Sequence, residues 1–205
     1  MFYQPQTEPH GLPFDPFKAC VVPRPIAWVS TVSKSGVHNL APFSFYNAMS
    51  WAPPIIALGM PGRGGRGRGK DTLENIEETG ELVISMATEA MAEAINLSSA
   101  RFTPEVDEFE AVGVMAEDSC LVAPRRVAMA PVHLECRHLQ TVPLPGPRPD
   151  RGNALVLATV IGIHIRDEVI REGRLDLTAI RPVSRLGYRD WATVGGGAFT
   201  LEPPD

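Results

Sequence analysis

Residues 24–40 decide the fold, because this stretch, RPIAWVSTVSKSGVHNL, predicts a tight β-hairpin. Residues 25–33 are rich in β-branched and aromatic side chains, which favour extended strands. Lys34, Ser35 and Gly36 supply a turn in which the glycine can take a positive φ, and residues 37–40 form the returning strand. The stretch therefore predicts an antiparallel sheet that begins early in the chain.

More short strands and a few short helices follow the hairpin. Alternating or continuous apolar patterns predict further strands at residues 43–49, 54–59, 81–87, 132–142 and 154–165. Capping residues and helical spacing predict helices over 71–79 and 91–97, and residues 101–113 resemble an exposed lid with a short helix. The segment 154–165 is nearly all apolar, which indicates a strand buried on both faces. Residues 143–152 hold four prolines and two glycines and predict an irregular loop.

The composition supports a mainly β fold with short helices. The chain of 205 residues contains 20 prolines and 18 glycines, more than average usage, and both residues disfavour long helices. The strands follow one another in meander order, which favours an antiparallel barrel over a parallel sheet with crossover helices. We expect an extended N-terminal arm at residues 1–16 and a single domain at residues 17–205.

Several classes of function are disfavoured. The net charge of −5 argues against a nucleic-acid partner, and no apolar run is long enough to span a membrane. The N-terminus carries no secretory pattern, and Cys20, Cys120 and Cys136 form no pairing motif. We therefore expect reduced, buried thiols in a cytoplasmic protein. The histidines show no metal-ligand spacing, so no metal site is predicted, and residues 62–69 are interpreted as a mobile basic loop.

One candidate binding feature is the triplet Lys70, Asp71 and Thr72 at the start of the helix predicted over 71–79. Free amide groups and a partial positive charge at a helix N-terminus suit a phosphate. Lys70 adds a cation and Thr72 a hydroxyl donor. The alternative is an ordinary capped helix, in which Asp71 is the cap.

A second candidate feature is a set of polar side chains on the early strands. Hydroxyls and amides among aromatic residues can hold a planar ligand that forms hydrogen bonds; the polar residues are Ser30, Thr31, Ser33, Asn39, Ser44 and Asn47, with Trp28 among the aromatic ones. The alternative is an ordinary outward-facing polar row. Motifs for nucleophilic catalysis are missing, and His133 and His164 are the candidate proton donors.

The order of the motifs resembles the flavin reductase-like family. The resemblance rests on RPIAWVSTV at residues 24–32, NLAPFSFYNA at 39–48, KDTLENI at 70–76, VIGIH at 160–164 and RPVSRLG at 181–187. It implies an antiparallel split β-barrel that binds FMN, usually as a homodimer with flavin in a cleft at the subunit interface. By this resemblance, the strand with Trp28, Ser30 and Thr31 would line the flavin ring.

The same resemblance assigns the remaining positions and the reaction. Ser44 and Asn47 would reach the polar edge or the ribityl chain, and Lys70, Asp71 and Thr72 would face the phosphate. Tyr188 or Trp191 could cover the ring from the partner subunit. The implied activity is hydride transfer from NAD(P)H to FMN, with FAD possible, and with no single catalytic side chain.

Three functions remain open at this stage. A flavin reductase could supply reduced flavin to a separate monooxygenase. An FMN-binding protein could keep its flavin bound for electron transfer, without turnover of free flavin. A split-barrel protein could also have lost flavin turnover and bind haem or serve as an interaction module.

Overall fold

The computed structural model describes residues 1–62, 71–148, 151–195 and 197–201. Residues 63–69 of the predicted basic loop, and Lys70, lie outside the described residues. The described helices are α1 (Phe17–Cys20), α2 (Asp71–Thr79), α3 (Ala92–Leu97), α4 (Glu108–Ala111) and α5 (Leu177–Ile180). Short 3₁₀ turns cover Glu89–Met91 and Asp167–Val169. None of the helices in the described ranges is both long and apolar enough to cross a membrane.

The described strands number fourteen, and seven of them form the main sheet. They are β1 (Arg24–Pro25), β2 (Ala27–Val32), β3 (His38–Phe43), β4 (Phe45–Trp51), β5 (Pro54–Pro61), β6 (Glu81–Met86), β7 (Ala116–Glu117), β8 (Arg126–Val127), β9 (Val132–Arg148), β10 (Arg151–Ile165), β11 (Ile170–Arg171), β12 (Arg174–Leu175), β13 (Val183–Arg185) and β14 (Trp191–Thr193). A smaller sheet has the order β1-β13-β14.

The main sheet is an antiparallel barrel that is split at one point. Its strand order is β3-β2-β6-β9-β10-β5-β4, so β3 and β4 are its two edges. These edge strands are consecutive in the chain, and only Ser44 separates Phe43 from Phe45. The sheet must therefore curl until its edges approach each other, and the split lies at Ser44. The predicted split β-barrel is confirmed.

The predicted hairpin and first long helix are also confirmed. β2 pairs with β3 from Ala27↔Phe43 to Val32↔His38, and Gly36 in the turn has a φ of +87°. Helix α2 covers the predicted residues and ends before Gly80, whose φ of +74° suits a glycine without a Cβ atom.

Strand β2 is buried on both faces because two apolar clusters flank it. Ala27 and Val29 belong to the cluster inside the barrel. Trp28 belongs to a second cluster, which also contains Ile95 of α3 and Phe109 of α4. The segment 101–113 is therefore not a wholly exposed lid as predicted, because its own residues Glu108 and Phe109 are buried.

The predicted irregular loop at residues 143–152 is wrong within the described residues. β9 runs to Arg148 and pairs with β10 through Leu144↔Asn153 and Pro143↔Ala154. Successive residues of a strand point their amide groups to opposite sides. The prolines at positions 143, 145 and 147 are two residues apart, so the missing amide hydrogens all lie on the same side of β9. β9 pairs with β6 only as far as Arg137. Beyond that residue no described strand pairs with this side of β9, so the prolines leave no donor missing from the sheet there.

The expectation of a strand buried on both faces at residues 154–165 is only half right. Ala154, Val156 and Ala158 of β10 are buried in the barrel core. The alternate residues Leu155 and Leu157 are half-buried. One face of β10 is therefore core and the other is a partly exposed apolar surface.

The cysteines also differ from the expectation of three buried thiols. Cys136 is buried in the barrel core, and burial raises the pKa of its thiol to about 12, so it stays protonated. Cys20 and Cys120 are exposed. Each lies outside the main sheet, in α1 and in the loop between β7 and β8, where no core covers it.

Candidate functional site

A groove opens where the barrel is split, and we call it the split groove. It has a wider chamber of about 520 Å³ and a narrower one of about 270 Å³. Both chambers are lined by Pro42, Ser44, Ser99 and Arg185. Lys18, Arg24, Phe45 and Tyr188 line the wider chamber, and Ile95, Asn96 and Trp191 line the narrower one. The wider chamber lies within the range of small-molecule sites, about 300–1,000 Å³, and the narrower one lies just below it.

Arg24 ties helix α1 to one wall of the groove. Its guanidinium donates to the backbone oxygens of Lys18 and Val21 in and after α1, and to Leu186 O at 2.8 Å. Gly187 allows this approach, because a Cβ atom there would lie 2.4 Å from the Cβ of Ala19. The chain thus brings Lys18 and Tyr188 to the same chamber.

The described residues that line the groove include the cations Lys18, Arg24 and Arg185 and no carboxylate. This lining is therefore electropositive. Arg24 and Arg185 are direct cross-strand partners in the β1–β13 pair. Burial first, and then the charge of Arg185, lower the pKa of Arg24, although an arginine stays protonated in proteins. Like charges placed directly opposite each other destabilise a sheet. An anion bound between them would remove that repulsion.

The groove also offers hydrogen-bond donors and aromatic surface. The Nε of Arg24 is buried without a hydrogen-bond partner. The Arg24 guanidinium lies 5.7 Å from the ring centroid of Phe45, and that of Arg185 lies 5.1 Å from the ring of Trp191. Ser44 and Ser99 add hydroxyls. The residues fit a flat, polar, anionic ligand.

Of the predicted site residues, Ser44 lies in the split groove and Asn47 does not. Asn47 lines a separate pocket of about 310 Å³, which is mostly apolar and includes Tyr46, Met86 and Pro182. The Asn47 side-chain oxygen accepts a hydrogen bond from the amide of Ala48 at 2.8 Å.

The three predicted residues of β2 are fully buried, and their polar atoms bind other parts of the protein. Trp28 Nε1 donates to Ser98 Oγ at 2.9 Å. Ser30 Oγ donates to the backbone oxygen of Arg125. Thr31 Oγ1 accepts from Asn75 Nδ2 at 3.0 Å. In this structure these groups fix the strand against its neighbours.

Of the predicted phosphate residues, Asp71 and Thr72 at the start of α2 lie beside a second polar cavity, which we call the acidic pocket. Thr72 is fully buried, and its hydroxyl donates to Asn39 Oδ1 at 2.7 Å. Asp71 lines the pocket, whose volume is about 360 Å³. The other carboxylates in its described lining are Glu74, Glu78, Glu105 and Glu108.

Neither candidate proton donor lines the split groove. His133 is buried, its Nε2 lies 2.9 Å from the backbone oxygen of Val127, and burial lowers its pKa. His164 bonds to the carboxylate of Glu135. Sequence reasoning assigned no role to Lys18, Arg24, Ser99 or Arg185, although Arg24 and Arg185 stand inside two of the quoted motifs. Only the strand pairing shows that these two motifs lie side by side, as β1 and β13.

A split antiparallel barrel with a cationic groove at the split has the shape and charge that suit a small anionic ligand. Residues 19–182 match the flavin reductase like domain, and the chain belongs to this family. The comparisons support a role in flavin-related oxidoreduction.

Known relatives and solved structures agree with this assignment. The chain is 37% identical over 184 residues to an uncharacterised protein of Halalkalibacterium halodurans, covering 90% of this chain and 87% of that one. It is similar to nitrilotriacetate monooxygenase component B from Bacillus cereus, with a TM-score of 0.89, 28% identity and 98% of each chain covered. It also resembles a 2-nitrobenzoate 2-nitroreductase of Pseudomonas fluorescens, with a TM-score of 0.78, 28% identity and coverage of 92% and 88%.

Proposed function

We propose that the protein binds FMN in the split groove and acts as an oxidoreductase that transfers hydride from NAD(P)H to this flavin. The Arg24–Arg185 pair carries the proposal, because these two cationic residues are direct cross-strand partners and the charge of Arg185 lowers the pKa of Arg24. Like charges in such a pair are costly without an anion. The phosphate of FMN supplies that anion, and arginine is well suited to phosphate because its planar fork can donate two hydrogen bonds.

The described residues have distinct roles in this proposal. Arg185 and Lys18 hold the phosphate, and the more deeply buried Arg24 orients both α1 and the Leu186–Tyr188 segment around it. Ser44 and Ser99 donate to the polar edge of the flavin. When bound, FMN supplies the hydride acceptor, so the protein needs to bind and orient the reactants rather than provide a nucleophile. FAD could occupy the same groove.

The other predicted flavin residues keep supporting roles. Trp28, Ser30 and Thr31 are proposed to hold β2 in the position that shapes the flavin site, rather than to donate directly. Lys70, Asp71 and Thr72 at the start of α2 are proposed as the alternative position for the phosphate. Asn47 is proposed to meet flavin bound across a subunit interface.

A homodimer is proposed on the basis of the outer surface of the barrel. Trp51 is 91% exposed and Met49 is 57% exposed on β4. Half-buried leucines lie on the outer face of β10, two strands away. An apolar surface of this kind suits a second copy of the chain. The exposed Cys20 and Cys120 fit the reducing cytoplasm.

A separate monooxygenase is proposed as the consumer of the reduced flavin. The similar Bacillus cereus protein is named as component B of a nitrilotriacetate monooxygenase. A reductase of this kind turns over free flavin, whereas an electron-transfer protein keeps its flavin bound. Added free FMN therefore stimulates NAD(P)H oxidation only in the first case.

The experiment measures FMN affinity by quenching of flavin fluorescence, followed by NADH and NADPH oxidation with and without added FMN. We expect Arg185→Ala to weaken FMN binding about 10- to 100-fold, because a hydrogen bond to a charged group contributes about 1.5–3 kcal/mol. Arg174→Ala on β12, outside the groove lining, is the matched control and should bind like the wild type. Equal affinity for the Arg185→Ala variant and the wild type would refute the groove as the phosphate site.

A further inference from the structure

A cluster of three metal-ligating side chains lies outside the split groove. Potential ligand atoms of Cys120, Glu135 and His164 all lie within 4.8 Å of one another. None of the three residues lines the groove. They come from the β7–β8 loop, β9 and β10, which no spacing in the sequence brings together.

The sheet register explains why these side chains meet. Glu135 pairs with Gly162, and His133 pairs with His164, so Glu135 and His164 are diagonal neighbours on one face of the β9–β10 pair. Gly162 has no side chain to fill the space between them. A Cβ atom there would lie 3.1 Å from Leu121 Cδ1, so the glycine lets the loop with Cys120 lie directly on the sheet.

The carboxylate of Glu135 is fully buried and held in place by its hydrogen bonds. Its Oε1 accepts from the amide of Cys120 at 2.8 Å and bonds to His164 Nε2. Its Oε2 accepts from the amide of Leu121 at 2.6 Å. The two amide bonds fix the carboxylate and the loop in one arrangement, while the contact with His164 is available for exchange.

The neighbouring His133, which is not one of the three clustered residues, also has a ring nitrogen without a hydrogen-bond partner. It is 2% exposed, and its Nε2 lies 2.9 Å from the backbone oxygen of Val127, so that nitrogen carries the proton. Its Nδ1 is then a lone-pair acceptor, and it is buried without a hydrogen-bond partner. The ring centroids of His133 and His164 lie 6.1 Å apart.

We propose that Cys120, Glu135 and His164 form a zinc site with an open fourth position. Sulfur, oxygen and imidazole nitrogen are the donors that Zn²⁺ takes, at about 2.0–2.3 Å, and tetrahedral coordination brings such donors to about 3–4 Å from one another. With Glu135 held in place, rotation of the exposed Cys120 side chain and the partly exposed His164 ring would shorten the present spacing. Binding releases the Cys120 thiol proton to solvent, and His164 ligates through Nε2 as the neutral tautomer that carries its proton on Nδ1; no oxidation or reduction takes place.

A metal bound through the exposed Cys120 would have a structural role in holding the β7–β8 loop. Thiolate coordination would fasten the β7–β8 loop to the β9–β10 pair through a metal in addition to the two amide bonds. Because Cys120 is exposed, solvent reaches the cluster, so water or a small ligand can complete the coordination. This inference does not depend on the proposed flavin activity.

The test is a titration of the purified full-length chain with Co²⁺, whose thiolate complexes absorb in the near ultraviolet. We expect one Co²⁺ per chain, a thiolate charge-transfer band, and displacement of cobalt by Zn²⁺. Cys120→Ser should abolish the band, and His164→Gln should weaken binding at least about 10-fold, since first-sphere ligands dominate affinity. Cys20→Ser, which alters the other exposed thiol, should leave both band and affinity unchanged.

Thermal unfolding provides a second readout that does not depend on cobalt. Zn²⁺ at 100 times its Kd should raise the Tm of the wild type by about 5–10 °C and leave the Tm of Cys120→Ser unchanged. Without metal the two proteins should melt alike, which shows that the variant is folded. The absence of a thiolate band in the wild type, or an equal band in Cys120→Ser, would overturn the proposal.

Discussion

The acidic pocket and the split groove lie near opposite ends of β3 and differ in how their charged groups are used. In the acidic pocket, Glu108 is buried, and its carboxylate accepts from Asn39 Nδ2 at 2.7 Å and from the amide of Leu40. In the split groove, Arg24 and Arg185 are placed opposite each other in the β1–β13 pair. In the first arrangement the buried polar groups of Glu108, Asn39 and Leu40 bind one another, whereas the second contains a repulsion that a ligand can remove.

This difference teaches that polar residues near a cavity do not by themselves identify a ligand site. The hydroxyl of Thr72 is already bound to Asn39, which in turn is bound to Glu108. A chain of internal hydrogen bonds of this kind holds α2 and α4 against β3. The four experiments that follow test this contrast, from the largest expected effect to the smallest.

The largest effect is expected from Glu108→Ala. This change leaves the buried Asn39 amide and the Leu40 amide without their acceptor, which should lower the free energy of unfolding by about 2–4 kcal/mol. Urea denaturation measures it. Glu110→Ala, an exposed position on the same helix, is the matched control and should change stability by less than about 0.5 kcal/mol. A loss of FMN affinity in folded Glu108→Ala would contradict a purely structural role.

The next largest effect is expected on FMN affinity, and it distinguishes the two candidate phosphate positions, the split groove and the start of α2. Lys18→Ala with Arg185→Ala removes both accessible cations of the groove and should weaken FMN binding more than Lys70→Ala does. The reason is that the described residues lining the groove include no carboxylate, while Asp71 directly follows Lys70. Fluorescence titration of the variants measures the order. A stronger effect of Lys70→Ala would move the phosphate to the start of α2.

A smaller effect is expected from pH at His38, which lines the acidic pocket. Burial first, and then the charge of Arg125, lower its pKa, against the opposing influence of Asp107 and Asp118. The unfolded chain then binds a proton more readily than the folded one. Its contribution to stability is complete above about pH 6.5, the unfolded value, and is lost as the pH falls below that value toward the folded pKa.

His38→Asn tests this pH dependence by removing the titrating group. Urea denaturation at pH 7.5 and 5.5 should show a smaller loss of stability on acidification in His38→Asn than in the wild type. His10→Asn, in the N-terminal segment, is the control and should behave like the wild type. An unchanged loss in His38→Asn would show that other groups govern the acid sensitivity of this region.

The smallest effect is expected at the rim of the acidic pocket. Lys34 Nζ lies 3.8 Å from Glu78 Oε2, and both side chains are well exposed. Exposed pairs of this kind contribute about 0–1 kcal/mol, so Lys34→Ala should change stability by about 0.5 kcal/mol or less. The same urea series measures it, and a loss comparable to that of Glu108→Ala would show that the rim is part of the structural network.

Local signals predicted the elements whose structure depends on nearby residues. Gly36 marks the β2–β3 turn, and the capped, amphipathic segment that begins at Asp71 forms α2 with the expected bounds. The prolines at 143 and 145 misled the prediction, because the cost of a missing amide depends on whether another strand lies on that side. Cys20 and Cys120 misled it as well, since burial depends on what packs over a residue.

The sequence by itself determined a mainly β chain, its first hairpin, its longest helix and, through the order of its motifs, a resemblance to flavin reductases. These follow from backbone preferences and local patterns that act over a few residues. Only the tertiary structure placed Arg24 opposite Arg185 and brought Cys120, Glu135 and His164 together. Strand register decides such pairs, and register is set by how the whole sheet buries its faces and closes at Ser44.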